Sequence, residues 1–361
     1  MTPHAAPVRD AEELCARIRA VHDAIQGEVV AACTSTAVEG LSEVVAEEGG
    51  DTVFAIDRVS EAVLVERFAE IAREWPCLLI AEGLGADGRR ILPAGIDPGA
   101  VEIAVIVDPI DGTRGLMYQK RPAWILTGVA GIAGRDLARD PRRVPRLSDI
   151  TLAVQTEIPL VKQHLGDQLW AIEARGAHAE RCDRLGGTRT PLALRPSAAT
   201  TTLQGFGGLS RFFPGGREEL SAIDDAIALR LLGPPRAGVA MAFEDQYIST
   251  GGQLYELTVG HDRWVADLRP LVDAALRRRG QSLGVCSHPY DLCTELIARE
   301  VGVIVTDQHG GRLDAPLDVF SDVGWIGYAN ATLRDQIAPV LAEILDKRGL
   351  IEASSSSPSR I

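Results

Sequence analysis

The sequence predicts an α/β protein, and three observations point to that class. The runs 78–81 and 101–107 are almost continuously apolar, as strands buried on both faces are. Each run ends directly in acid, Glu82 in one and Asp108 in the other, at the strand end where open α/β sheets place their chemistry. Around them lie stretches with apolar residues three or four apart, the spacing of one helix face. With 361 residues and 46% apolar content, the chain can bury a large core as one layered domain or two halves.

Taken in order, residues 10–48 read as an amphipathic helix with Leu14, Ile18, Val21 and Ile25 on one stripe, broken by Gly49 and Gly50. That stripe could pack over a sheet or pair two subunits in a homodimer. Asp57 stands ahead of the periodic residues Val59, Val63 and Phe68, where it could cap a helix. The run 124–130 reads as a buried strand, 135–149 as an Arg-, Asp- and Pro-rich surface loop, and 150–154 and 169–173 as further strands. Gly, Thr and Pro accumulate over 185–202, placing a boundary near 195 between a half spanning 1–195 and a half spanning 196–350. Glycines at 205, 207 and 208 read as a loop, and 251–260 reads as a helix with a glycine-rich start. His261 and Arg263 at the junction that follows read as structural. Pro289-Tyr290-Asp291 opens a helix of Leu292, Leu296, Ile297 and Val301, which places Asp291 at its amino end. The serine-rich segment 354–359, within an end piece spanning 351–361, reads as a disordered tail.

The strand 101–107 runs into Asp108-Pro109-Ile110-Asp111-Gly112-Thr113. Alone, the hexapeptide could be a surface turn, since Asp, Pro and Gly each favour turns for backbone reasons. Two hard oxygen donors three residues apart at a strand end also suit Mg²⁺, and the second strand ending in Glu82 tips the balance toward a metal site.

With Glu82 about two dozen residues upstream and Tyr290-Asp291 downstream before an apolar helix, this motif resembles the inositol monophosphatase family. Its superfamily of Mg²⁺-dependent, lithium-sensitive phosphatases includes fructose bisphosphatases and 3′-phosphoadenosine phosphatases. The resemblance spans roughly 10–345 and is densest over 52–128 and 284–314. It implies a layered α/β/α/β/α sandwich. It implies that Glu82, Asp108, Asp111, Asp291 and the Ile110 carbonyl hold two or three Mg²⁺ ions. Asp57 and Thr113 would orient an attacking, metal-activated water, and substrate phosphate would sit against Gly112, Thr113 and Arg114. Gly176-Ala177 would be the turn of a hairpin, and the helix 251–260 would lie near the substrate pocket.

Two departures from the family pattern matter. Gly83 stands where most members carry a second Glu, and Gly284 stands where inositol-selective members carry an acid that contacts polyol hydroxyls. The expected activity is hydrolysis of a small phosphate monoester, of a sugar or polyol, with 3′-phosphoadenosine 5′-phosphate as the enzymatic alternative. The alternative of another class is a noncatalytic metabolite-binding or regulatory protein, which the loss at Gly83 keeps open.

A net charge of −13 disfavours nucleic-acid polymers and anionic membranes, which need a basic footprint. Cysteines at 15, 33, 77, 182, 286 and 293 show no Cys-x-x-Cys spacing, as expected of reduced thiols in a cytoplasmic enzyme. Residues 1–7 lack a basic region followed by an apolar core, so no targeting segment is expected, and no apolar run reaches membrane-spanning length.

Overall fold

The computed structural model describes residues 7–36, 38–42, 44–48, 51–85, 87–140, 144–282 and 284–351, with side chains described outside 38–39, 44–48, 51–55 and 57–62. The serine-rich segment 354–359 lies outside the described residues. An eight-stranded sheet runs in the spatial order Arg189–Pro191, Ala177–Asp183, Leu165–Ile172, Ile150–Ile158, Ala123–Gly131, Ile103–Asp111, Cys77–Ile80, Arg89–Leu92. Among the described residues of this sheet, only Cys77–Ile80 and Ile103–Asp111 pair in parallel, so two strand ends point the same way, toward Glu82 and Asp108. A four-stranded sheet follows in the order Phe206–Leu209, Asp262–Asp267, Trp325–Tyr328, Ile304–Asp307.

Both faces of the large sheet are covered, which explains the continuous apolar runs. Ile103, Val105 and Val107 point to one core with Leu14, Ile18, Ile25 and Phe68, while Ala104 and Ile106 point to the other with Leu254, Leu257, Leu296 and Trp264. Helices Ala11–Ser35 and Ala55–Ile71 cover the first face. Thr250–Val259 and Glu295–Glu300 lie between the two sheets, and Arg217–Leu232 with Ala331–Lys347 covers the outer face of the smaller one. The architecture is therefore the expected α/β/α/β/α layering. Among the described residues no helix is long and apolar enough to cross a membrane.

The structure departs from the sequence reading in several places. The first helix ends at Ser35 rather than near 48, and a short helix Val38–Leu41 and a strand Val44–Glu48 follow. At its end Thr34 and Ser35 donate their hydroxyls back to the carbonyls of Val30 and Ala31, at 2.8 and 2.9 Å. The expected surface loop 135–149 contains a helix Gly134–Arg139 and a 3₁₀ turn Leu147–Asp149, pinned by buried Leu137 and Leu147. The expected loop at the glycines is the strand Phe206–Leu209, parallel to Asp262–Asp267. There a Cβ on Gly207 would lie 2.4 Å from the Trp264 ring, so glycine lets the indole lie on the backbone and no apolar pattern marks the strand. The helix after Pro289 is two pieces, Pro289–Leu292 and Glu295–Glu300, with the break at Cys293 and Thr294. Gly128 admits the Cys293 carbonyl at this break, since a Cβ there would stand 2.7 Å from that oxygen.

Candidate metal centre

The pairing register between Ile103–Asp111 and Ala123–Gly131 shifts between Asp108 and Asp111, so the strand bulges as it enters the motif. Asp108 Oδ1 accepts the Ile110 N–H at 2.9 Å, and the Thr113 hydroxyl donates to the Ile110 carbonyl at 2.8 Å. Gly112 turns the chain at φ 96°, and a Cβ on it would lie 3.1 Å from Ser249 Cβ and 3.2 Å from the Ile248 carbonyl oxygen. The short helix Thr113–Met117 starts immediately after.

Asp111 is held from the other half of the chain. Its Oδ2 accepts the Ser249 hydroxyl at 2.8 Å and the Gly251 N–H at 2.6 Å. Ser249 is also the N-cap of Thr250–Val259, accepting the Gly252 N–H at 2.9 Å, so the amino end of that helix faces the carboxylate. Sequence reading missed Ser249 and Gly251 as Asp111 partners. The signal available was Ser-Thr-Gly-Gly at a helix start, which reads as a cap without naming what it faces.

Asp291 is the third residue of its helix, and its Oδ2 accepts the His288 N–H at 2.6 Å, a backward capping contact that fixes the side chain. Carboxylate oxygens of Asp108, Asp111 and Asp291 lie within 4.8 Å of one another. Glu82 sits outside that trio, on the turn after Cys77–Ile80, with its Oε1 accepting the Tyr290 hydroxyl at 2.8 Å. Gly83 behind it has φ 75°, a left-handed conformation that glycine adopts without strain.

Burial raises the Asp108 carboxyl well above the usual range, and the neighbouring charges of Asp111, Asp291 and Glu82 raise it further. Burial and Asp111 do the same to Asp291, opposed by the His288 N–H and Arg269. Asp111 is pushed up to about 6 by burial, against which the Ser249, Gly251 and Thr250 donors act. Three mutually repelling carboxylates, one buried and two half-buried, offer hard oxygen donors that fit a divalent cation, which would neutralise them in place. The Ile110 carbonyl keeps a second lone pair beyond the one given to Thr113 and could join that donor set.

The remaining expected site residues fall as follows. Asp57 lies inside Ala55–Ile71 rather than ahead of it, so it does not occupy the N-cap, and its side chain lies outside the described residues. Arg114 is half-buried, with its guanidinium 5.3 Å from the centre of the Phe213 ring. Gly284 stands beside the same residue, a Cβ on it lying 3.8 Å from Phe213 Cβ. Cys286 and Cys293 are buried and unpaired. Burial pushes the Cys286 thiol up to about 12 and the Cys293 thiol well above its usual value, so neither offers a thiolate. Arg263 donates to the carbonyls of Thr201, Leu203 and Gln204, and His261 contacts Glu256, both structural roles.

No family model and no curated protein sequence matches this chain. Solved structures do. The holo form of Leishmania major fructose-1,6-bisphosphatase superposes with a TM-score of 0.65 at 13% identity, covering 92% of this chain and 95% of that one. The extragenic suppressor protein SuhB from Bartonella henselae matches with a TM-score of 0.59 at 14% identity, covering 91% and 98%. A Pyrococcus horikoshii hypothetical protein with similarities for inositol-1 monophosphatase matches with a TM-score of 0.56 at 15% identity, covering 92% and 99%. Along nearly its whole length, the chain has the fold of these fructose-1,6-bisphosphatase, SuhB and inositol monophosphatase-like structures.

Proposed function

We propose that this protein is a Mg²⁺-dependent phosphatase that hydrolyses a small phosphate monoester of a sugar or polyol. The observation that carries the reading is the trio of carboxylates, buried Asp111 with half-buried Asp108 and Asp291, gathered within 4.8 Å in this fold. Glu82, the three aspartates and the Ile110 carbonyl are the residues that would hold two or three ions. Bound there, the ions would polarise phosphate oxygens and water and balance charge on the departing oxygen. The halves 1–195 and 196–350 would both contribute, with Asp291 coming from the second. Six unpaired cysteines support a reducing, cytoplasmic setting.

The chain's own groups then position the reactants. The amino end of Thr113–Met117 presents the Gly112, Thr113 and Arg114 backbone toward a phosphate, and the Arg114 guanidinium adds charge. Because the Thr113 proton is given to the Ile110 carbonyl, the Thr113 oxygen keeps its lone pairs to accept from an attacking water, which it orients together with Asp57. Water oxygen bonds to phosphorus as the ester P–O bond breaks in line, releasing phosphate and the alcohol. No covalent phosphoenzyme is required.

A second substrate reading rests on Phe213. A Cβ at position 284 would lie 3.8 Å from Phe213 Cβ, and both Arg114 and Arg269 lie over the Phe213 ring at 5.3 and 5.5 Å. An aromatic and cationic wall favours a flat, anionic leaving group, so 3′-phosphoadenosine 5′-phosphate belongs beside the sugar phosphates.

The test is inorganic phosphate release from sugar phosphates, inositol phosphates and 3′-phosphoadenosine 5′-phosphate, with and without Mg²⁺, using Asp111→Asn as control. Mg²⁺-dependent release that disappears in Asp111→Asn is the expected result. Release that survives Asp111→Asn at the wild-type rate would overturn the site. Silence across the panel from folded protein whose melting temperature shifts with the same ligands would favour the noncatalytic, metabolite-binding alternative.

A further inference from the structure

Glu82 is the outlier of the acidic site. It is exposed on a turn, outside the close trio of aspartates, and its neighbour Gly83 carries no side chain to brace it. The turn itself accounts for that neighbour: at φ 75° a glutamate at 83 would be held in a backbone conformation that side-chain-bearing residues rarely adopt. One contact that reaches Glu82 comes from far along the chain. Tyr290, 208 positions away and 5% exposed, donates its hydroxyl to Glu82 Oε1 at 2.8 Å.

Tyr290 is itself rigidly placed. Pro289 starts its helix, its ring lies 5.3 Å from the His288 ring, and the next residue is Asp291, locked by the His288 N–H. One rigid segment thus contributes an acid to the trio and a hydroxyl to the outlying acid.

We propose that Tyr290 is a positioning residue whose hydroxyl orients Glu82 for metal binding, supplying from the second half of the chain the bracing that Gly83 cannot provide. The inference rests on Glu82 being a ligand. A carboxylate has lone pairs to spare, so Oε1 can accept from Tyr290 while Oε2 faces an ion. An outer hydrogen bond of this kind restricts the ligand to its binding orientation. A phenol fits the role better than a second carboxylate would, since it adds a donor without adding negative charge.

The test measures Mn²⁺ binding to the full chain by titration calorimetry for wild type, Tyr290→Phe, Glu82→Gln and the double variant, with melting temperatures recorded without metal. Tyr290→Phe removes only the hydroxyl and should weaken Mn²⁺ roughly tenfold, the lower end of what outer-contact losses cost. The double variant should bind as Glu82→Gln alone does, because the hydroxyl acts through that carboxylate. If Tyr290→Phe lowers the melting temperature and leaves Mn²⁺ affinity at the wild-type value, the hydroxyl is structural and the inference fails. If Glu82→Gln also binds Mn²⁺ as wild type does, the assignment of Glu82 as a ligand fails first. Additive losses in the double variant would overturn the proposed route through Glu82.

Discussion

Gly251 stands so close to Asp111 that a Cβ on it would lie 2.9 Å from the carboxylate oxygen that its own N–H already holds at 2.6 Å. The same Cβ would lie 2.5 Å from Leu126 Cδ2. Alanine must therefore push the helix start away from the strand or turn Asp111 aside. Gly251→Ala should cost about 1–3 kcal/mol of stability. It should also weaken Mg²⁺ roughly ten- to hundredfold, because the contact that aims Asp111 is displaced. Mg²⁺ titration of phosphate release and chemical denaturation check the two parts.

Two glycines with similar backbone angles separate strain from crowding. Gly176, at φ 81°, has nothing within 4 Å of its Cβ direction, whereas Gly112, at φ 96°, faces Ser249 and the Ile248 carbonyl. Gly176→Ala should cost only the left-handed strain, about 1–2 kcal/mol, and leave the proposed phosphatase activity in place. Gly112→Ala carries the same strain, and it also displaces the segment that holds Asp111. It should lose activity as well as stability, measured side by side on the two variants.

The acidic trio makes metal-free stability depend on pH in an unusual direction. Folded Asp111 keeps its proton to about pH 6, against 3.8 for an ordinary aspartate, chiefly through burial. Over that window the folded chain binds more protons than the unfolded one, so stability falls as pH rises through it, by up to about 1.4 kcal/mol per unit. Asn at 111 has no proton to lose. Without metal, wild type should therefore lose stability relative to Asp111→Asn as pH rises from 4 toward 7, and Mg²⁺ at pH 7.5 should restore it. A flat difference between the two proteins would contradict the burial argument.

His22 imposes the opposite slope. It is fully buried, its ring nitrogens 2.9 and 2.8 Å from the hydroxyls of Thr156 and Thr127, and burial lowers its pKa from 6.5 to about 3. The neutral ring is stable above pH 6.5, and that contribution is lost progressively as pH falls toward about 3, by up to about 1.4 kcal/mol per unit. His22→Gln should be less stable at pH 7.5 yet lose less on acidification than wild type does. Denaturant midpoints at pH 7.5, 6 and 5 would show whether the curves converge.

Much of the site is legible because its parts are local. Asp108, Ile110, Asp111, Gly112 and Thr113 occupy one strand end and one turn, so burial of the preceding run and the turn chemistry of Gly112 place them without further information. Glu82 and Asp291 are likewise placed by the elements just before and after them. What covers those acids is not local. Ser249 lies 138 positions from Asp111 and Tyr290 lies 208 from Glu82, separations at which spacing in the sequence says nothing of contact. The strand Phe206–Leu209 escaped for a related reason: Gly207 within it makes room for the Trp264 ring of a neighbouring strand.

Taken alone, the sequence determined the class of fold, the strand ends that carry acid and the motif that turns Asp108 and Asp111 into one loop, because apolar runs, helix periodicity and glycine turns are short-range effects. Which donors hold each carboxylate, that three of them close to within 4.8 Å while Glu82 stands apart, and how burial raises the pKa values of Asp108, Asp111 and Asp291 follow from the packed structure alone. Those properties depend on desolvation and on distances between separate elements. They come into being when the helix Thr250–Val259 and the segment 288–291 dock against the large sheet.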